Sequence, residues 1–193
     1  HAPNSRGRRS AQTALWKISE ALVRLLAPIM SFTSDEIWQH LPTITTRPQS
    51  VHLSLFPKST DLVGDTSASS LEQLRQEWGK LMAVRDEALK GMEVAKQEKV
   101  IGDRAEAAVV ITGPESALAL LQAHDLRALF IVSAVRLERN GSGNGSGGIR
   151  VTVEKAPGTK CERCWNYSVH VGDNADYPMV CERCSVALTE IEA

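Results

Sequence analysis

The chain has 193 residues, room for one domain or two small ones, and 42% are hydrophobic, enough to bury a core. Lys plus Arg number 22 against 23 Asp plus Glu, and this formal charge of −1 excludes binding nucleic acid by bulk charge alone. Aromatics are only 5%, and no apolar run reaches the ~18–20 residues a membrane span needs.

The first residues, HAPNSRGRRSAQ, are polar and basic and lack the apolar stretch of a secretory signal. They also lack an initiator Met and run straight into a helical pattern, so the start reads as a cut inside a longer protein. From Arg8 to Ala27, Leu15, Ile18, Leu22, Leu25 and Leu26 recur at helix spacing. Five basic residues against Glu20 alone give residues 1–24 a formal +4. Arg8, Arg9 and Arg24 are the phosphate-binding candidates of this helix. Pro28 interrupts the pattern. A second helix is expected from Thr33, because Thr33-x-x-Glu36 has capping-box spacing and Ile37, Trp38 and Leu41 follow as an apolar face. Pro42 closes it, and Val51–Pro57 alternates like a strand.

Residues 58–70 are small and polar and read as a connection. A long helix is expected from Leu71 to Lys99, with Leu71, Leu74, Trp78, Leu81, Ala88, Met92 and Ala95 stepping by three and four and only Arg85 breaking the stripe. Its six basic and six acidic residues make it a poor phosphate binder. Gly91 inside it costs roughly 1 kcal/mol relative to Ala and points to a bend or a close packing contact. Ala105–Thr112 reads as a strand, Glu115–Ala123 as a short helix, and Leu129–Leu137 and Ile149–Lys155 as two further strands. The Gly/Ser-rich segment 140–148 between those strands is expected to be mobile, either a natural hairpin loop or an engineered replacement for one.

All four cysteines fall late, at Cys161, Cys164, Cys181 and Cys184, as two C-x-x-C pairs with 16 residues between them. A secreted disulfide framework would spread them through the fold. Without a secretory signal the reducing cytoplasm is the expected compartment, and paired C-x-x-C there reads as metal. Two such turns supply the four sulfurs that one tetrahedral Zn²⁺ requires. Both read Cys-Glu-Arg-Cys, a small internal repeat. The competing readings are two redox pairs or a reduced loop, but a thioredoxin-type site needs one C-x-x-C opening a helix, whereas both here read as loop. His170 could replace a cysteine, although four thiolates already fill the shell. A closed shell leaves no position for water or substrate, so the ion is expected to be structural, one per chain. Residues 160–184 sum to −1, so any RNA contact must come from placed groups, with Arg163, Trp165 and Tyr167 as candidates. Trp165 could equally cover the metal cluster as a miniature core. No phosphate-binding glycine loop, G-x-G-x-x-G or H-E-x-x-H is present, and the five histidines are scattered. Nothing reads as a catalytic centre.

Four stretches together resemble the isoleucyl-tRNA synthetase family of bacteria, in its C-terminal portion. They are RRSAQTALWKISEALVRLLAPIMSFTSDEIWQHLP at 8–42, VHLSLFP at 51–57, Trp78 through VRDEALKGMEVAKQEKVIGDRAEAAVVI to 111, and KCERCWNY at 160–167 with CERC at 181–184. The resemblance implies an α+β, multi-part fold. Residues 1–58 would end a helical anticodon-binding domain, 59–157 would be a long helix with a small strand-rich junction domain, and 158–193 a four-cysteine zinc knuckle. It implies a parent enzyme that attaches isoleucine to its tRNA using ATP. The family's active-site signatures, His-Ile-Gly-His and Lys-Met-Ser-Lys-Ser, are absent, so this part is expected to be non-catalytic. Carried over by position, Cys161, Cys164, Cys181 and Cys184 hold zinc, while Arg163 and Trp165 face the anticodon loop. The implied partners are the isoleucine tRNA and the catalytic remainder of the same polypeptide, as a monomer with no membrane. The alternative is a free-standing zinc-ribbon module for protein or DNA contacts.

Overall fold

The computed structural model describes residues 2–42, 47–139 and 148–192. They form two compact units, His1–Ser70 and Leu71–Ala193.

The first unit is helical. Helix α1 (Arg6–Leu26) starts where the Ser5 hydroxyl accepts the Arg8 N–H, an N-cap that satisfies one free backbone donor. Its buried residues are Ala21 and Val23, not the predicted stripe: Leu15, Ile18, Leu22, Leu25 and Leu26 are all exposed. The period identified a helix but not the side its own unit covers. Helix α2 (Ser31–His40) begins two residues before Thr33, and Thr33 caps nothing. The Ser34 N–H already bonds Met30 O at 2.8 Å, because the chain turns back into helix directly from the 27–30 turn. Val51–Leu53 is a 3₁₀ turn rather than a strand. The Asp35 carboxylate accepts from the Ser50 hydroxyl at 2.6 Å and the Val51 N–H at 3.1 Å, which curls the segment against α2. The supposed connection at 58–70 contains helix α3 (Ser59–Val63), whose Asp61 side chain accepts the Lys58 N–H. Val23, Ala27, Trp38 and Val51 make a small core, and the Trp38 indole N–H bonds Pro48 O.

The second unit is α+β. Helix α4 (Ala68–Gln97) buries Leu81, Ala88, Met92 and Ala95, the last four positions of the predicted stripe, and with them Val84. Arg85, the break in that stripe, donates its Nε–H to Leu129 O at 3.1 Å. Strand β1 (Ala107–Gly113) is buried almost throughout, as the central strand of a three-stranded sheet should be. Helix α5 (Glu115–Gln122) follows. The expected strand at 129–137 is half helix: α6 (Leu126–Phe130) is capped by the Asp125 carboxylate on the Ala128 N–H, and Ile131 in left-handed conformation ends it. Only then does β2 (Ala134–Arg139) begin, parallel to β1, with Val109 opposite Val135. Strand β3 (Arg150–Lys155) pairs antiparallel with the other edge of β1, with Val109 opposite Val153. The order is therefore β2-β1-β3, and β2 and β3 do not form the expected hairpin. Residues 140–147, read as a mobile loop, lie outside the described residues.

Leu81, Met92, Val109, Ile111, Leu118, Leu121, Phe130 and Val132 form the core between α4, the sheet and α5. Two short paired strands, β4 (Thr159–Lys160) and β5 (Tyr167–Ser168), and helix α7 (Glu182–Glu192) complete the unit. Among the described residues no helix is long and apolar enough to cross a membrane.

Candidate metal centre and nucleic-acid interface

The first Cys-Glu-Arg-Cys turn lies between β4 and β5. Lys160 is paired with Tyr167, and the Cys161 N–H bonds Asn166 O at 2.8 Å. The second turn differs from the expectation of a loop. Cys181 stands just before α7 and Cys184 lies in its first turn, with the Ser185 N–H on Cys181 O. A helix N-terminus favours nearby thiolates through its free N–H groups. Among the described residues no βαβ unit surrounds it, so the arrangement is not that of a thioredoxin-type site.

The two turns bring all four Sγ atoms within 4.8 Å of one another. None is in a disulfide. In a zinc tetrahedron with ~2.3 Å Zn–S bonds, neighbouring sulfurs stand ~3.8 Å apart, and Cys164 Sγ and Cys181 Sγ are 3.7 Å apart. Cys161, Cys181 and Cys184 are buried, and with Cys164, Val171 and Val180 they make a separate small core. Burial works against the Cys161 thiolate, yet the backbone N–H groups of Cys164, Cys181 and Arg163 outweigh it and bring its pKa down to about 6. Burial pushes Cys181 up to about 12 and raises Cys184 as well. Sulfurs this close resist carrying several negative charges together, and a dication at their centre removes that resistance. The donor set fits a four-thiolate Zn²⁺. His170 is not part of it: it is exposed, with Nδ1 2.9 Å from Asp173 Oδ2.

The arginines of the repeat cross between the turns. Arg163 lies against the Cys184 sulfur and favours its thiolate, while Arg183 lies against Cys164. Trp165 is no cover for the cluster. Its backbone is left-handed (φ 66°), its N–H bonds Cys161 O at 2.8 Å, and the residue is 66% exposed. Tyr167 is half-buried, and its backbone N–H donates to the buried Ser133 hydroxyl at 2.6 Å. Burial and the carboxylates of Glu106 and Asp103 hold its phenol above the ordinary value. Ser133, which sequence reasoning missed, also donates to Ala105 O and so ties the metal-binding lobe to the start of β1. No sequence signal distinguishes this serine from any other.

On the first unit, Arg8 and Arg9 are exposed. Arg24 is not: its side chain is 13% exposed, with Nη2 2.5 Å from Glu20 and 3.3 Å from Asp61. Its Nη1–H points to Leu55 O. Charge counting could not distinguish a free arginine from one spent within the fold.

Residues 1–111 match the model of the anticodon-binding domain of tRNA ligases. Residues 158–186 match a zinc finger found in FPG and IleRS. Isoleucine–tRNA ligase of Geobacter sulfurreducens is 39% identical over 188 residues, which is 94% of this chain and 20% of that protein. Those of Syntrophotalea carbinolica and Moorella thermoacetica are 40% and 38% identical over 97% of the chain, again 20% of each. The chain thus spans about a fifth of the length of these relatives. The chain belongs to the family of anticodon-binding domains of tRNA ligases, and beyond that domain it carries a zinc finger similar to that found in FPG and IleRS, with four sulfurs placed for one ion.

Proposed function

We propose that this chain binds the anticodon stem-loop of an isoleucine-accepting tRNA, as a non-catalytic part of a cytoplasmic, monomeric isoleucine–tRNA ligase. In this reading the remainder of the polypeptide performs the ATP-dependent attachment of isoleucine. Residues 1–58, 59–157 and 158–193 serve as the end of the anticodon-binding domain, a junction and the zinc knuckle. The observation that carries the reading is Trp165, an aromatic ring held in solvent by a left-handed turn beside the sulfur cluster. A large apolar ring buries little of itself in that position in the free protein, whereas an unpaired base stacks on it.

Cys161, Cys164, Cys181 and Cys184 hold the zinc. When bound, the ion supplies a cross-link between two turns that are otherwise joined by few apolar contacts. Arg163 divides its charge between the cluster and the loop of the RNA. Arg8 and Arg9 contact phosphates, which sets affinity and salt dependence but not base choice. Arg24 supports them by holding α3 against α1. The rival reading, a free-standing zinc-ribbon module, is disfavoured because relatives match across the helical unit and the knuckle alike.

The test is Trp165→Ala in the full chain. Stacking predicts a loss of ~1–3 kcal/mol in affinity for an RNA hairpin of the isoleucine anticodon arm, with zinc content unchanged. Arg8→Ala with Arg9→Ala should weaken all tRNAs alike and flatten the salt slope by about 0.7–0.9 for each phosphate no longer neutralised. Zinc lost together with the ring, or RNA binding unaffected while zinc stays, overturns the assignment.

A further inference from the structure

We propose that Lys160 completes a single-nucleotide site on the knuckle. Its ammonium caps one face of the Trp165 indole, and an unpaired base takes the other face with its phosphate beside the same ammonium. The proposal deepens the RNA reading above and rests on it.

Lys160 Nζ lies 5.4 Å from the Trp165 ring centroid, within the ~6 Å range over which a cation is attracted to the indole face. Both residues are fixed by backbone rather than by mutual contact. Lys160 is held in β4 by its pairing with Tyr167, and Trp165 by its N–H bond to Cys161 O. The stem of the ring is therefore set, and the side-chain torsions that aim it are left to the lysine. With 66% of the residue exposed, a capped face on one side leaves the opposite face to solvent. The ring belongs to no core: the sulfur cluster packs with Val171 and Val180 instead.

The left-handed conformation adds to this. An L-residue there costs roughly 1–2 kcal/mol relative to the right-handed region, and glycine would carry no such cost. Strain without burial points to function. The local charge points the same way. Residues 160–184 are −1 overall, so a cation poised over the aromatic ring cannot be the by-product of a basic surface. A ring with one open face takes one base, and the positive charge over its other face favours the negative phosphate that an unpaired nucleotide brings with it. A duplex offers no free base face, so the expected ligand is single-stranded RNA in a loop.

The experiment uses the zinc-loaded full chain with two probes, a synthetic RNA hairpin with an unpaired loop and the blunt duplex of the same stem. Lys160→Ala and Lys160→Met should each weaken hairpin binding about two- to fivefold, and Lys160→Arg should retain it, since a guanidinium also stacks on an indole. Duplex binding should not change. In the Trp165→Ala background the lysine substitutions should have no further effect. In the free protein, Lys160→Met should shift the Trp165 indole N–H resonance and leave those of Trp16, Trp38 and Trp78 in place. An equal loss from Lys160→Ala in both backgrounds makes the lysine an independent phosphate contact and overturns the proposal alone. An unmoved indole resonance does the same. If Trp165→Ala leaves hairpin affinity intact with zinc retained, the RNA reading falls, and this proposal with it.

Discussion

Gly91 of α4 stands directly against Val153 of β3: a Cβ on Gly91 would lie 3.1 Å from Val153 Cγ2. The glycine inside the long helix is thus a packing contact rather than a bend, and it sets how closely the helix approaches the sheet. Gly91→Leu should force the two apart and lower the stability of the second unit by ~1–3 kcal/mol, the usual cost of overpacking. Urea unfolding followed by circular dichroism measures this, and Val153→Ala in the same chain should recover part of the loss.

The zinc site has its own small core, separate from the one formed by α4, β1 and α5. Metal analysis should find one zinc per chain, and a chelator should unravel the knuckle and α7 while α4 stays folded. Helicity at 222 nm should fall only by the share of α7. Loss of the whole helical signal on chelation would show that the two cores are one cooperative unit.

Trp165 adopts a φ of 66°, where glycine is the least strained residue. Trp165→Gly should stabilise the knuckle by roughly 1 kcal/mol against Trp165→Ala, and both should lose RNA affinity alike. Thermal unfolding of the zinc-loaded variants gives the comparison. An alanine variant as stable as the glycine variant would mean that the turn relaxes without the ring.

Arg24 and Arg8 separate structural charge from available charge. Arg24→Ala leaves Glu20 and Asp61 without their guanidinium and should destabilise the first unit by ~1–3 kcal/mol. Arg8→Ala, on an exposed position, should stay within about 0.5 kcal/mol. The same unit should weaken in acid. The Ser50 hydroxyl and then the Val51 N–H hold the Asp35 carboxyl below its ordinary 3.8. The Lys58 N–H, helped by Arg24, does so for Asp61 against the opposing effect of burial. A carboxyl depressed in the folded state contributes stability above its unfolded pKa, and that contribution disappears as the pH falls through the folded value. Unfolding midpoints should therefore drop as the pH falls below about 4, and Asp35→Asn should both lower the neutral value and shrink the drop.

Features that depend on neighbours along the chain were legible in the amino-acid order. The C-terminal part of the α4 stripe and the buried run of β1 are set by short-range spacing, the joining of two C-x-x-C turns by the four sulfurs that one tetrahedral ion requires, and the stripe, the run and the sulfur cluster are each present in the structure. Features that depend on remote partners came only with the folded chain. Whether Val51–Leu53 curls or extends was settled by Asp35, fifteen or so residues away. The order β2-β1-β3 depends on which edge of β1 each strand reaches, and an alternating or apolar run carries no label for its partner. The stripe on α1 looked like a core face because periodicity reports only that one side is apolar, never what covers it. Arg24 counted as free charge because a tally of residues does not show Glu20 and Asp61 beside its guanidinium. Trp165, finally, was balanced between lid and stacking platform, because composition cannot give the sign of φ. The bonds that close the knuckle turn that residue left-handed, and this is what carries its ring away from the sulfurs into solvent.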